Sequence, residues 1–231
     1  MRSNVLIIVR AYNEALNIVR VIDNLITNFP QYDYVVINDG SHDGTAAICR
    51  ERGYNLVDYP VNLGLTGAFI GGMKYALYNN YEYVIQYDGD GQHNAEYISS
   101  MIELASTRNI DIVIGSRFVA SPKPWTARMI GSRIIAGCIL MTTRKRIADP
   151  TSGMRLYSKR VIQYFANHLN YGPEPDTIVF LMRCGINVKE YPVHMNDRIA
   201  GDSYFTIMNG LQYTALVCSS ILLAQWFRPR I

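Results

Sequence analysis

The sequence predicts an α/β domain built on a mostly parallel β-sheet with helices on both faces. Short apolar runs alternate with longer helix-like segments over the first half of the chain. Strands that read as continuous apolar runs are typical of sheets that are buried on both faces. The chain has 231 residues, 49% of them hydrophobic and 18% charged. That is enough to form a sizeable packed core, and it excludes a disordered chain.

The predicted elements alternate regularly up to about residue 115. Apolar runs predict strands at 5–9, 34–38, 55–59, 83–87 and 111–115. Apolar spacing of three and four residues predicts the intervening helices at 14–28, 44–52, 64–78 and 95–106. The second half is less regular, with predicted helices at 125–141, 158–168, 177–184 and 205–227 and a strand at 188–192.

The last helical stretch, 205–227, has nearly the length of a membrane span, which needs about 20 apolar residues. Polar residues interrupt it, namely Asn209, Gln212, Ser219, Ser220 and Gln225. An amphipathic helix lying on a membrane surface therefore fits at least as well as a spanning helix. A helix buried against the domain is the alternative.

A basic stretch occupies the middle of the chain. No acidic residue lies between Asp111 and Asp149, and the basic residues there are Arg117, Lys123, Arg128, Arg133, Arg144, Lys145 and Arg146. Such a stretch favours phosphate or anionic lipid as a partner, although a solvated basic face is the common alternative. Nucleic acid is disfavoured, because aromatic residues do not alternate with the basic ones as they do on stacking surfaces.

Unusual polar residues follow four of the predicted strands. They are Arg10-Ala11-Tyr12-Asn13-Glu14, the segment from Asn38 and Asp39 to Thr45, Asp88-Gly89-Asp90-Gly91-Gln92-His93, and Gly115-Ser116-Arg117. Ligands of open parallel sheets bind beyond the carboxyl ends of the strands. We therefore expect these clusters to form one site.

Asp88 and Asp90 flank a single glycine at a strand end. Two carboxylates this close repel each other unless a cation lies between them, and their oxygens suit Mg²⁺ or Mn²⁺. Gln92 offers a further carbonyl oxygen. The pattern alone is weak, because Asp-Gly pairs are also common in turns.

Two other features have a structural alternative. Asp39 is placed to bind a base or ribose, whereas Ser41 or Asp43 is placed to cap the helix that begins near Gly44. The glycine-rich turn that ends at Gly67 allows backbone amides to approach a phosphate, but tight packing explains it equally well.

The ordered set of motifs resembles the family 2 inverting glycosyltransferases of GT-A fold, and within them the dolichol- and polyprenyl-phosphate sugar transferases. The motifs are Ala11-Tyr12-Asn13-Glu14, Asp39-Gly40-Ser41-x-Asp43-Gly44-Thr45, Asp88-x-Asp90-x-Gln92-His93, Gly115-Ser116-Arg117 and Asp149-Pro150-Thr151-Ser152-Gly153-Met154-Arg155. The resemblance covers residues 4–203. The chain departs from it at Arg10, where proline is common, at Met154, where phenylalanine is common, and at Tyr204, where lysine is common.

The resemblance implies roles for particular residues. The nucleotide sugar would be held by Ala11, Tyr12, Glu14, Asp39, Gly67, Asp88 and Gly89. The metal, Mg²⁺ or Mn²⁺, would be held by Asp88, Asp90 and Gln92. The acceptor phosphate would be bound by Arg117, Ser132, Arg133 and Arg198. Asp149 and Asp88 would be catalytic, but an acceptor phosphate whose second pKa is about 6 is already largely ionised at neutral pH. The alternative role for Asp149 is therefore to orient the acceptor or an arginine without taking a proton.

The implied organisation is a catalytic domain at 1–203, with a nucleotide-sugar half at 1–115 and an acceptor half at 116–203. A membrane-associating or partner-docking helix follows at 204–231. The implied reaction is inverting transfer of a sugar, from UDP-GlcNAc or UDP-Glc, to a polyprenyl phosphate of undecaprenyl type. It would take place at the cytoplasmic face of the cell membrane. The short bacterial members further imply a small integral membrane protein as partner, and exposed apolar helices make a homo-oligomer plausible.

Two rival hypotheses remain at this point. One is a glycosyltransferase of the same fold that extends a saccharide acceptor. The other is a catalytically inactive membrane scaffold, against which the intact Asp88, Asp90 and Asp149 argue.

Overall fold

One seven-stranded sheet forms the centre of the computed structural model, which describes residues 3–168, 171–196 and 207–228. Its strands are β1 (Val5–Ala11), β2 (Asp33–Asn38), β3 (Leu56–Asp58), β4 (Tyr83–Asp88), β5 (Ile112–Ser116), β6 (Arg155–Ser158) and β7 (Val188–Pro192). Their order in the sheet is β3-β2-β1-β4-β6-β5-β7. All neighbouring pairs are parallel except those made by β6, which runs antiparallel to both β4 and β5.

The helices cover both faces of the sheet. They are α1 (Ile18–Asn28), α2 (Thr45–Glu51), α3 (Gly64–Tyr78), α4 (Ile98–Arg108), α5 (Ala127–Thr143), α6 (Lys159–Asn167), α7 (Pro175–Arg183) and α8 (Ile207–Leu222). Apolar residues of α1, α2 and α4 pack on one face, and those of α3 and α5 to α8 pack on the other. The buried strands explain why their sequences read as unbroken apolar runs.

The predicted architecture is confirmed in its coarse form, with one missed strand. Strand β6 has only four residues and begins with Arg155, so no apolar run marks it. It forms because its backbone completes the hydrogen bonding between β4 and β5. Because β6 is antiparallel, its first residue lies at the edge of the sheet where β1, β2, β4 and β5 end. The loop that leads into β6 is thereby brought to that edge.

Helix α8 packs against α5 and α7, with Val217 and Ile221 buried in the core. Gly131 of α5 admits a close crossing, since a Cβ there would lie 2.6 Å from Oγ1 of Thr214. The outward side of α8 and of the short 3-10 helix after it leaves large apolar side chains exposed, among them Leu216 and Phe227. Within the described ranges, every helix is too short or too polar to cross a membrane.

The contact between α3 and β1 makes a matched pair of stability predictions. A Cβ on Gly72 would lie 2.6 Å from Ile8 side-chain atoms, whereas a Cβ on Gly137, exposed on α5, would meet nothing within 4 Å. We expect Gly72→Ala to lower the free energy of unfolding by about 1–3 kcal/mol through overpacking. Gly137→Ala should raise it by about 0.5–1 kcal/mol. Urea unfolding measures both, and equal effects of the two substitutions would contradict the packing described.

Candidate active site

The end of β1 and the end of β4 lie side by side and supply the centre of the site. The two strands are parallel, with Arg10 in register with Asp88. Successive side chains of a strand point to opposite faces, so Arg10 and Asp88 lie on the same face as Ile8 and Gln86. This face thus ends in charged residues at the carboxyl edge of the sheet.

A pocket of about 500 Å³ opens at this edge between β1, β2, β4 and the start of α3. We call it the Asp39 pocket. Six of the seven residues predicted to hold a nucleotide sugar line it: Ala11, Tyr12, Glu14, Asp39, Asp88 and Gly89. The seventh, Gly67, does not. A Cβ on Gly67 would lie 2.3 Å from Cβ of Leu63, so the structure accounts for this glycine by packing within the first turn of α3.

The two loops that border the Asp39 pocket are held together by hydrogen bonds. The backbone N–H of Asn13 donates to Oγ of Ser41 over 2.9 Å, and that of Glu14 donates to Oγ1 of Thr45 over 2.9 Å. Asp43 accepts the N–H of Ala15 and that of Thr45. Asp43 therefore fixes the start of α2 and the 13–15 loop, so of the two aspartates between Asp39 and Thr45 only Asp39 lines the pocket.

Asp39 is nearly buried, and its Oδ1 accepts the backbone N–H of Leu63 over 2.7 Å. Gly40 after it has a φ of +65°, and a Cβ there would lie 2.4 Å from the carbonyl carbon of Val61. Only glycine combines this backbone conformation with so close an approach. The glycine in this motif thus allows the 61–63 segment to reach Asp39.

Asp88 and Asp90 both line the Asp39 pocket. Asp88 forms an ion pair with the guanidinium of Arg10, and Oδ1 of Asp90 accepts the N–H of Gln92 over 3.0 Å. Among the described residues, no group of three or more His, Cys, Asp or Glu side chains is arranged to hold a metal. Mg²⁺ is commonly bound by one or two carboxylates together with substrate phosphates, so two carboxylates beside a pocket fit such an ion.

His93 contacts both the backbone and the side chain of Asp88 and so fixes its position. Its Nδ1 accepts the backbone N–H of Asp88 over 3.0 Å, and its Nε2 lies 3.6 Å from Oδ2 of the same residue. Burial lowers the pKa of His93, although the neighbouring Asp88 and Asp90 carboxylates oppose that shift. The ring is therefore neutral at pH 7, with its proton on Nε2 facing the carboxylate.

A second cavity, of about 280 Å³, adjoins the Asp39 pocket and shares Arg10, Leu65 and Asp88 with it. We call it the arginine cavity, because Arg10, Arg117, Arg128 and Arg155 line it. Its two acidic lining residues are Asp88 and Glu174. Four guanidinium groups stand against these two carboxylates and that of Asp149, which pairs with Arg117, so the cavity keeps a net positive charge that attracts anions.

Asp149 lies beneath the arginine cavity and does not line it. It is fully buried. Its Oδ2 accepts a hydrogen bond from Nε of Arg117 over 2.7 Å, and its Oδ1 accepts one from Nη2 of Arg117 over 2.9 Å. Glu190 holds this segment in turn, accepting the N–H groups of Ala148 and Asp149 over 2.7 Å each. The geometry favours the orienting role for Asp149, because both of its oxygens are engaged in aiming Arg117.

The residues predicted to bind the acceptor phosphate lie in different places in the structure. Arg117 lines the arginine cavity, and Ser132 lies at the margin of the cavity. The Oγ atom of Ser132 accepts a hydrogen bond from Nζ of Lys123 over 2.9 Å, and it lies 3.4 Å from Oγ1 of Thr151, which lines the cavity. Arg133 does not line the cavity. Its guanidinium binds the carbonyl groups of Lys123 and Pro124 and lies 4.1 Å from the centroid of Trp125. Arg198 and the loop that follows it lie outside the described residues.

Gln92 and His93 line the arginine cavity. Asp90 lines the Asp39 pocket, and Gln92 does not. Its role as a metal ligand stays a prediction. The structure adds lining residues to which the sequence assigned no role: Arg128, Glu174 and Tyr213, together with Arg10 and Arg155, which stood within the recognised motifs. Arg128 belonged to the basic stretch, but nothing in the sequence distinguished it from Arg133.

Helix α8 forms part of the wall of the arginine cavity. Tyr213 lines the cavity and donates its hydroxyl to Oε2 of Glu174 over 2.5 Å. Farther along, Ser220 and Arg228 both donate to Oδ2 of Asp176, over 2.6 and 3.0 Å. These bonds tie the C-terminal segment to the start of α7, so α8 takes part in the site as well as in packing.

The comparisons with known proteins agree with this geometry. The Glycosyl transferase family 2 model matches residues 6–166. The undecaprenyl-phosphate mannosyltransferase of Micrococcus luteus is 29% identical over 218 residues, covering 86% of each chain. The UDP-N-acetylglucosamine–dolichyl-phosphate N-acetylglucosaminyltransferase of Methanococcus voltae is 23% identical, covering 81% of this chain and 83% of its own.

Among solved structures, the glucosyl-3-phosphoglycerate synthase of Mycobacterium tuberculosis, in complex with Mn²⁺ and UDP-glucose, superposes with a TM-score of 0.69. The match covers 99% of this chain and 80% of the synthase at 17% identity, and it confirms the predicted GT-A fold. Since the family model matches well over half of the chain, and the motifs it spans converge at one edge of the sheet, this protein belongs to glycosyl transferase family 2.

Proposed function

We propose that this chain transfers a sugar from a nucleoside diphosphate sugar to a polyprenyl phosphate, with inversion at the anomeric carbon. The observation that carries the proposal is the adjacency of the two cavities. The Asp39 pocket meets the arginine cavity at Asp88, so a sugar held beyond a diphosphate at Asp88 would face a site built for an anion.

The arginine cavity supports a phosphate acceptor over a saccharide acceptor. Arginine presents a planar fork of donors that matches phosphate oxygens, and each such charge-assisted hydrogen bond is worth about 1.5–3 kcal/mol. Arg117 and Arg128 are the two residues of the basic stretch that line the cavity. We assign them the acceptor phosphate, with Asp149 aiming Arg117 and Ser132 beside them. Arg128 thereby replaces Arg133 in the assignment.

An acceptor with a polyprenyl tail requires an apolar approach to the cavity. Helices α5 and α8 pack together and leave Ile130, Ile134, Leu211 and Leu216 exposed. We propose that this surface meets the cytoplasmic face of the membrane, or a small integral membrane partner or a second copy of the chain bound there. The relatives named for undecaprenyl and dolichyl phosphates support an acceptor of this class.

In the proposed reaction, an oxygen of the lipid phosphate attacks the anomeric carbon, and the bond from that carbon to the nucleoside diphosphate breaks. Arg117 and Arg128 orient the attacking phosphate, which is already ionised, so no side chain has to remove its proton. Asp88 and Asp90 are the residues that would hold Mg²⁺ or Mn²⁺. Bound there, such an ion stabilises the charge of the leaving diphosphate.

The domain assignment fits this scheme as a proposal, with residues 1–115 holding the nucleotide sugar and 116–203 the acceptor. Tyr213 of α8 lines the arginine cavity, which supports a contribution of this helix to the acceptor side. UDP-GlcNAc or UDP-Glc remains our proposed donor. The named relatives include both a mannosyl- and an N-acetylglucosaminyltransferase, so the donor has to be determined directly.

The decisive experiment is transfer of radiolabelled sugar to polyprenyl phosphate in membranes, with a panel of UDP- and GDP-sugars. We expect label in the lipid phase that depends on Mn²⁺ or Mg²⁺ and disappears with EDTA. A matched reaction with polyprenol, which lacks the phosphate, should give none. Label that enters an oligosaccharide acceptor but never the lipid phosphate would favour the rival saccharide-extending enzyme.

A further inference from the structure

Arg10 occupies an unusual place in the site. It stands at the end of β1 and lines both the Asp39 pocket and the arginine cavity. Its side chain is 9% exposed, and one nitrogen, Nη2, is bound to Oδ1 of Asp88. A guanidinium group thus lies against the carboxylate that a divalent cation would also need.

The hydrogen bonding of Arg10 is incomplete in this state. Its Nε and Nη1 are buried and make no hydrogen bond to any described residue. A buried donor without a partner is destabilising by about 1–3 kcal/mol, so native structures rarely leave one unsatisfied. The missing partner must be an acceptor that reaches the junction of the two cavities.

We infer that Arg10 is a resident counter-ion of Asp88 whose two remaining N–H donors bind a phosphate oxygen of the nucleotide. The inference rests on the proposed nucleotide-sugar site. An arginine at this junction neutralises Asp88 when no cation is present. It also gives a diphosphate a positively charged partner supplied by the protein itself. The site should therefore bind a nucleoside diphosphate without a divalent cation and bind a divalent cation alone only weakly.

The test is isothermal titration calorimetry of the full chain with UDP and with GDP, in EDTA and in Mn²⁺, and with Mn²⁺ alone. For the nucleotide that binds the wild type in Mn²⁺, we expect measurable affinity in EDTA as well. Arg10→Gln should weaken that metal-free affinity by at least about tenfold, the size of one lost charge-assisted hydrogen bond. The same substitution should tighten the binding of Mn²⁺ alone, because the guanidinium no longer competes for Asp88.

Two further variants test whether the effects of Arg10→Gln come from its N–H donors at this position and not from the loss of a positive charge alone. Arg52→Gln removes the same charge from an exposed residue that pairs with Asp23 and lines neither cavity, and it should leave both affinities nearly unchanged. Arg10→Lys keeps the charge but not the fork of donors, so it should keep Mn²⁺ binding weak while lowering metal-free nucleotide affinity. It also serves if Arg10→Gln fails to fold.

Unchanged metal-free nucleotide affinity in Arg10→Gln or Arg10→Lys would overturn the inference, as would a wild type that binds nucleotide only with Mn²⁺. Both results leave the proposed reaction standing, since they concern Arg10 alone. A wild type that binds neither UDP nor GDP even with Mn²⁺ would overturn the nucleotide site itself, and the inference with it.

Discussion

Replacing Asp90 with asparagine is expected to lower kcat/KM for sugar transfer by at least about 10³-fold, with the fold retained. The side chain keeps its shape but loses the charge proposed to hold the cation. Metal stabilisation of a leaving group is worth several kcal/mol, and about 4 kcal/mol corresponds to 10³ in rate. Asp88→Asn should be at least as damaging, and it should also lower stability, because it leaves the buried guanidinium of Arg10 without its ion pair.

The matched control is Asp43→Asn, at the same edge of the sheet. Asp43 accepts backbone N–H groups from Ala15 and Thr45 and does not line the Asp39 pocket. An amide keeps only one of the two acceptor oxygens, so we expect this variant to lower the free energy of unfolding by about 0.5–1.5 kcal/mol, the size of one lost hydrogen bond, and to leave transfer nearly intact. Transfer assays at saturating Mn²⁺ compare the activities of the Asp90→Asn and Asp43→Asn variants. An Asp90→Asn enzyme within tenfold of wild type would refute the proposed metal site.

Replacing Arg128 with alanine is expected to lower kcat/KM for the lipid phosphate by about 10- to 100-fold, the size of one lost charge-assisted contact. The affinity of the Arg128→Ala variant for the nucleotide should not change, because Arg128 lines the arginine cavity and not the Asp39 pocket. Steady-state kinetics with varied polyprenyl phosphate, combined with nucleotide titration, separates the two effects.

Arg133→Ala is the comparison that distinguishes the structure from the sequence-based assignment. Its guanidinium already binds backbone carbonyls and stacks on Trp125, so its loss should affect the 123–125 segment and reduce transfer much less than Arg128→Ala does. If Arg133→Ala proved the more damaging, the assignment from the resemblance would be right and the one from the cavity wrong.

The sequence by itself determined the fold class and most of the residues that line the Asp39 pocket. Buried parallel strands have to be apolar throughout, so β1, β2, β4 and β5 could be recognised from single segments, and helix α3 was predicted with its exact bounds, Gly64–Tyr78. The residues that line the Asp39 pocket come directly after those strands. Their convergence follows from the rule that parallel strands present their carboxyl ends at one edge.

The tertiary structure alone decided which further residues line the arginine cavity. They come from elements with no common sequence signal: the first turn of α5, the start of α7, and Tyr213 of α8. Strand β6 is too short and too polar at its start to be read from a pattern, yet its antiparallel direction brings Asp149 and Arg155 to the site. Choosing Arg128 over Arg133 required knowing which way each side chain points, because helix rotation is set by packing against the rest of the chain. The ion pair of Arg10 with Asp88 likewise depends on the register of β1 against β4, which no single segment encodes.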